Sequence, residues 1–185
     1  MQLITSIDRL HLSSRAREAA LTLTGILLLF ASAQITIPLQ PIPITLQTVA
    51  VMLIGLTFAM RPALNAVALY LTIGALGAPV FGDWSGGIIK IFGPSGGYLI
   101  GFFAAVLAMT TFRKFISASS FWMTIVNCTF GTAVVFVCGI AWLSRFVGIQ
   151  EAFQLGLFPF IIPGALKALI LCASLHYIRS AKNFS

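Results

Sequence analysis

The residue of this chain best placed to do chemistry is a single lysine inside an apolar stretch. The stretch is IIPGALKALILC, Ile161 to Cys172, and Lys167 is its only charge. Arg145 and Glu151 set the outer boundary of the last apolar run near Phe158, so Lys167 lies nine residues, about 13 Å, inward. A lysine stem recovers only part of that depth, which strains an explanation by snorkelling to the headgroups. Two readings stand: a snorkelling lysine nearer the boundary than Phe158 implies, or an ammonium facing a polar cavity that opens outward. Pro163-Gly164 just outward predicts a break in the helix that frees backbone polar groups near the same place. No carboxylate within an apolar run balances the charge, since Asp83 and Glu151 fall beyond one side and Asp8 and Glu18 beyond the other. The residues point to an anion-binding pocket without naming the anion.

The rest of the composition sets the solvent in which that pocket must form. With 59% hydrophobic and 8% charged residues over 185 positions, the chain cannot cover a water-facing surface. It reads as an all-α integral membrane protein. The net charge of +7 comes with no Lys/Arg run, so it speaks for membrane topology and against nucleic acid. Cys128, Cys138 and Cys172 lie in apolar stretches without metal-ligand spacing and read as small packing residues. HExxH, paired intramembrane aspartates, a nucleophile elbow and a phosphate-binding GxxxxGK[ST] loop are all missing, which argues against an enzyme and against ATP hydrolysis by this chain itself.

Six apolar runs position the lysine: about 19–35, 46–59, 63–78, 97–112, 121–143 and 160–178, within one transmembrane domain spanning 1–185. The second and third are short and meet at Met60-Arg61-Pro62, which predicts a tight antiparallel pair. Six helices place Arg9, Arg15, Arg17, Arg61, Arg113, Lys114, Arg179 and Lys182 on one side, with only Lys90 and Arg145 in loops on the other. Positive residues accumulate on the cytoplasmic side, so both termini are expected inside a multi-pass protein of the cell inner (cytoplasmic) membrane. Residues 1–18 form the cytoplasmic N-terminal segment; residues 1–14 suit a short amphipathic helix on the inner leaflet, with His11, like His176, a polar residue at the interface. Arg15 and Arg17 ahead of an apolar run ending in Ala31-Ser32-Ala33 also imitate a secretory signal, and the run is taken here as a retained first helix.

Two outer connections are too apolar or too long for plain turns. ITIPLQPIPIT, Ile35 to Thr45, carries three prolines and no charge; it reads either as a lid folded onto the protein or as a short surface turn. APVFGDWSGGIIKIFGPSGGY, Ala78 to Tyr98, holds six glycines, with Asp83 beside Trp84 and Lys90 between isoleucines. Gly86-Gly87 and Gly96-Gly97 would let peptide N–H groups approach a ligand, and Gly97 with Gly101 forms a small face for helix packing.

Three segments, IPLQPIPITLQTVAVMLIG (Ile37 to Gly55), LYLTIGALGAPVF (Leu69 to Phe81) and GPSGGYLIGF (Gly93 to Phe102), resemble in order the BioY family, the biotin-specific substrate-binding subunits of energy-coupling factor (ECF) transporters. The resemblance runs over nearly the whole chain. It implies a six-helix ECF S-component fold with long outer loops closing over an outward-facing site. It also implies biotin as transported substrate, with no cofactor, and a transmembrane coupling subunit with two cytoplasmic ATPases as partners in the lipid bilayer. On that reading Lys167 pairs with the biotin carboxylate, Asp83 accepts ureido N–H bonds, Trp84 or Tyr98 packs on the rings, and Gln47, Gln34, Gly86 and Gly87 are further contacts. Ala16, Ala20 and Thr24 recur at the four-residue spacing expected of a docking face for the coupling subunit, and equally of lipid-facing or internal packing. One departure stands out: Pro163-Gly164-Ala165-Leu166-Lys167 lacks the acidic residue the family usually carries after its Pro-Gly. A stand-alone biotin facilitator and a structural or assembly membrane protein without a small ligand are the competing readings.

Overall fold

A computed structural model describes residues 13–115 and 120–183. Apart from Ser13 and Ser14, the amphipathic segment expected over residues 1–14 lies outside the described residues. Among the described residues the structure is mostly helical (79%), and strand is confined to one hairpin of two residues a side. In order the elements are α1 (Ser14–Ala33), β1 (Thr36–Ile37), β2 (Ile44–Thr45), α2 (Gln47–Thr57), α3 (Met60–Ala75), a 3-10 turn (Gly82–Trp84), α4 (Ile88–Phe92), α5 (Gly96–Phe112), α6 (Phe121–Val147), α7 (Ile149–Gly156) and α8 (Phe158–Asn183).

Local chemistry sets the helix ends. Ser13 caps α1 by accepting from the Ala16 N–H at 3.3 Å, and Ser120 caps α6 by accepting from that of Met123 at 3.4 Å. α1 begins five residues before the apolar run does, because the cap and the helix formers after it extend the helix past its apolar part. Gly148, at φ 84°, makes the sharp turn from α6 into α7, a short helix that the hydropathy pattern alone does not announce. α8 runs on through Pro163. The break expected at Pro163-Gly164 therefore does not occur: the proline removes one hydrogen-bond donor, and the helix around it continues.

The turn between α2 and α3 falls at Phe58-Ala59, with Pro62 in the first turn of α3, where its missing N–H leaves no bond unmade. The tight α2–α3 pair expected from that turn is not formed; α3 lies along α1 and α5 instead. Gly25 explains the choice, since a Cβ there would come within 2.6 Å of the Ala66 methyl, a distance only glycine permits. The most extensive contact joins α5 and α6. Gly97 and Gly101 on α5 lie against Trp142, Cys138 and Val135, while Gly139 and Gly131 on α6 receive Tyr98 and Met109. Phe58, Tyr70, Val106 and Leu143 are among the fully buried side chains of the resulting core.

Long-range bonds define the two ends of the bundle. At one end Glu18 accepts from Asn65 and Arg113 donates to the Phe58 carbonyl, which gathers the starts of α1 and α3 and the end of α5. At the other, Trp142 donates to the Gly93 carbonyl at 3.0 Å and Tyr98 to that of Gly156 at 2.9 Å. Ser14–Ala33, Phe121–Val147 and Ile149–Ile178 are long and apolar enough to cross a membrane. With large apolar side chains such as Leu27, Val137, Ile162 and Leu166 exposed on their surfaces, the chain is a multi-pass membrane protein.

Candidate functional site

At the end bearing the glycine-rich connection, four helices each turn one face toward a cavity of about 180 Å³. α2 contributes Thr48 and Met52, α5 contributes Tyr98, Leu99 and Phe102, α6 contributes Thr132, Val135 and Phe136, and α8 contributes Phe160, Pro163, Gly164 and Lys167. Spacings of three and four residues are those of a single helical face. The remaining wall comes from the connections: Pro38 to Pro43 from the hairpin, and Phe81, Gly82, Asp83, Ser85 and, on the short α4, Lys90 from the glycine-rich connection. In the hairpin Thr36 pairs with Thr45 and Ile37 with Ile44, antiparallel. Ile42 and Ile44 are buried, whereas Ile37 and Leu39 are exposed.

Lys167 is half-buried and its Nζ donates to the Thr45 carbonyl at 2.7 Å. A carbonyl takes the hydrogen bond but not the charge, and among the described residues no carboxylate pairs with this ammonium. Asp83 also faces the cavity, held in the left-handed region at φ 57°, ψ 39°. Its neighbour Trp84 has φ 53° as well, so the turn throws the two side chains to different sides. Trp84 is 65% exposed and meets Phe30 edge-on at 5.7 Å, away from the cavity wall.

Both glutamines bind protein. Gln34 donates to the Phe81 carbonyl at 3.3 Å and accepts from the Trp84 N–H at 3.1 Å, fastening the Asp83 turn to the end of α1. Gln47 lines the cavity but is buried; it donates to Tyr70 at 2.8 Å, and Tyr70 donates to the Val80 carbonyl at 2.8 Å. Gly86 and Gly87 stay off the cavity wall. The Gly87 N–H is used by the Gly74 carbonyl at 2.7 Å, and Gly86 has no room for a Cβ beside Ala78. Tyr98 presents its ring to the cavity, with its hydroxyl engaged behind it and Phe160 stacked at 6.4 Å. The structure thus brings Lys167, Asp83, Tyr98 and Gln47 onto one cavity, and gives Gln34, Trp84, Gly86 and Gly87 to the loop that covers it.

Sequence reasoning did not pick out Lys90, Phe102, Phe136 and Phe160 as cavity residues. Phe160 to Lys167 and Tyr98 to Phe102 carry the signal as seven- and four-residue stripes, visible only once the inward face of each helix is known. Among the described residues no three of His, Cys, Asp and Glu gather as metal ligands do.

These features define a multi-pass helical membrane protein with a partly apolar, cation-bearing cavity beneath loops at one end of the bundle. The chain belongs to the BioY family, whose model matches residues 5–184. It is 34% identical over 159 residues to the probable biotin transporter BioY of Rickettsia prowazekii, covering 86% of this chain and 81% of that one. To the probable biotin transporter BioY of Pyrococcus horikoshii it is 37% identical over 154 residues, covering 83% and 91%. Its fold matches that of a solved S-component for biotin from an ECF-type ABC transporter, with TM-score 0.75 at 24% identity, over 91% of this chain and 95% of the other.

Proposed function

We infer that this protein binds biotin and takes it up as the substrate-specific subunit of an energy-coupling factor transporter. The observation that carries the inference is the cavity itself: an ammonium that no carboxylate pairs with among the described residues, on the wall of a partly apolar pocket that also holds Tyr98, Phe102, Phe136 and Phe160, in a member of the BioY family. Biotin supplies what such a pocket lacks, a carboxylate on an apolar chain joined to a compact ring system with ureido donors and an acceptor. Phe160 stands seven residues, roughly 10 Å, outward of Lys167 on the same helical face. The rings therefore lie between Phe160, Phe136 and Tyr98, with the chain directed inward and the carboxylate on Lys167. Asp83 and Lys90 take the ureido N–H and carbonyl groups at the rim. Gln47 and Gln34 hold the covering loops, as do Gly86 and Gly87, and Trp84 packs outside the ring site.

The bundle crosses the membrane six times, through α1, α2, α3, α5, α6 and α8, with the hairpin and the glycine-rich connection as outer lids. The arginine-bearing end lies in the cytoplasm with both termini, and the membrane is the cytoplasmic one; the distribution of positive charge supports this. The exposed Ala16 and the half-buried Ala20 and Thr24 form part of the face offered to a transmembrane coupling subunit, which two cytoplasmic ATPases drive. The chain has no catalytic activity of its own and needs no cofactor.

Thermal unfolding of the purified protein with graded biotin tests the ligand: at a hundred times the dissociation constant, binding adds about 2.7 kcal/mol of stability. A shift with a different vitamin and none with biotin would change the substrate, and no shift with any small acid would leave a structural membrane protein. Uptake by proteoliposomes holding this chain alone, at the rate seen with the full module, would make it a stand-alone facilitator.

A further inference from the structure

Two thiols unused by biotin recognition, Cys128 on α6 and Cys172 on α8, lie with their sulfurs 3.4 Å apart, the Cys172 S–H directed at the Cys128 Sγ. Both are fully buried, in a cluster that includes Met52 and Met109. This cluster is the layer beneath the cavity. Met52 and Thr132 line the cavity; Thr132 Oγ1 lies 3.6 Å from the Met52 Sδ and donates to the Cys128 carbonyl at 2.8 Å. A single side-chain layer, Met52 and Thr132, thus separates the sulfurs from the cavity. A disulfide needs the sulfurs at about 2.05 Å, a closing movement of about 1.4 Å, on the scale of side-chain rotation. Cys138, ten residues along α6 and so about 15 Å away, is out of reach.

We propose that Cys128 and Cys172 form a modification site: a dithiol that an uncharged peroxide converts to a disulfide, stapling α6 to the helix that carries Lys167. The first sulfur attacks the peroxide O–O bond, becoming a sulfenic acid and releasing an alcohol, or water from hydrogen peroxide. The second displaces that hydroxyl as water and forms the S–S bond, so two electrons pass from the sulfurs to the peroxide and no further reductant or oxidant enters. The staple matters because α8 is lightly held. Of the 18 most apolar consecutive residues within Ile149–Ile178 only 11% are buried, against 39% of those within Phe121–Val147. A covalent tie five residues, about a turn and a half, inward of Lys167 fixes the wall of the site that Phe160, Pro163 and Lys167 share.

The test treats the full chain in lipid nanodiscs with hydrogen peroxide and maps non-reduced peptides by mass spectrometry. Expected is a Cys128–Cys172 linked peptide two hydrogens lighter than the sum of its parts, with Cys138 still open to alkylation after unfolding. The melting temperature rises and falls back on reduction, and Cys128→Ala and Cys172→Ala each abolish both changes. Oxidation of Cys138 ahead of the pair, separate sulfinic acids at Cys128 and Cys172, or a linked species with no change in melting temperature would overturn the proposal. If either variant fails to fold, the linked peptide and reversible melting of the unaltered chain still decide it.

Discussion

Lys167 donates to the backbone carbonyl of Thr45 at 2.7 Å, across 122 residues of sequence. This bond ties the helix carrying the half-buried charge to the strand that leads out of the hairpin over the site. It satisfies one N–H of the ammonium while leaving its charge unbalanced, which keeps the group ordered yet receptive to an anion.

Replacing Lys167 by Ala weakens biotin binding by about 2–4 kcal/mol, roughly 30- to 1,000-fold in Kd, without unfolding the protein. Titration of the purified variant checks this. Biotin methyl ester, which brings no charge, loses far less on the same substitution; an equal loss for ester and acid would remove the carboxylate from Lys167. Lys167→Arg does not restore affinity, because a planar guanidinium cannot replace the compact ammonium on the Thr45 carbonyl.

Lys90 is exposed at the rim, so its interaction is screened by solvent. Lys90→Ala costs about 0–1 kcal/mol of biotin affinity, and the cost shrinks with added salt. A larger loss than that of Lys167→Ala, specific to the acid over the ester, would reverse the direction of the ligand in the cavity.

Gly139→Ala drives a methyl into the Tyr98 ring, displacing a side chain that both walls the cavity and donates to Gly156. The expected loss of stability is about 1–3 kcal/mol, with weaker biotin binding. Gly164 lines the same cavity but has nothing within 4 Å of its missing Cβ. Gly164→Ala therefore leaves the melting temperature unchanged or higher, since alanine favours the helix by about 1 kcal/mol. Gly164→Trp keeps the fold and blocks the ligand. Parallel melting curves and titrations separate the two glycines.

Tyr70→Phe removes the hydroxyl that relays Gln47 to the Val80 carbonyl. Leaving the buried Gln47 amide without that partner costs about 1–3 kcal/mol. The effect on biotin appears as faster dissociation, because the connection carrying Asp83 loses its anchor to α3. Unaltered dissociation would show that this connection is held without the relay.

The elements differ in how legible they were. Long apolar runs marked α1, α5, α6 and α8 because crossing a bilayer demands continuous apolar length. The amphipathic α7 escaped because hydropathy dilutes an eight-residue helix into its flanks. Proline read as a break at Pro163, yet a helix can lose one donor and continue; at Pro62 it marked a first turn, not the turn itself. Lys167 stood out through cost alone, since a charge far inside an apolar run needs a reason. Lys90, conspicuous only as a charge between isoleucines, gave no sign that it faces a cavity, and the glycines of the outer connection gave no sign of whether they approach a ligand or another strand of backbone.

By itself, the sequence determined the solvent, the helical class, the family and the suspicious lysine, because each follows from composition, local periodicity or a short motif. Tertiary structure alone decided which face of each helix turns inward, so that Phe160, Pro163, Gly164 and Lys167 meet Tyr98, Met52 and Asp83. It also decided that Gln34 and Gly87 hold protein, that Thr45 is the partner of Lys167, and that Cys128 meets Cys172. The physical reason is that apolar helices in a membrane carry little amphipathic signal to say which side faces protein and which faces lipid. Close packing of glycine against bulky neighbours settles that choice, and it does so between residues far apart in the chain.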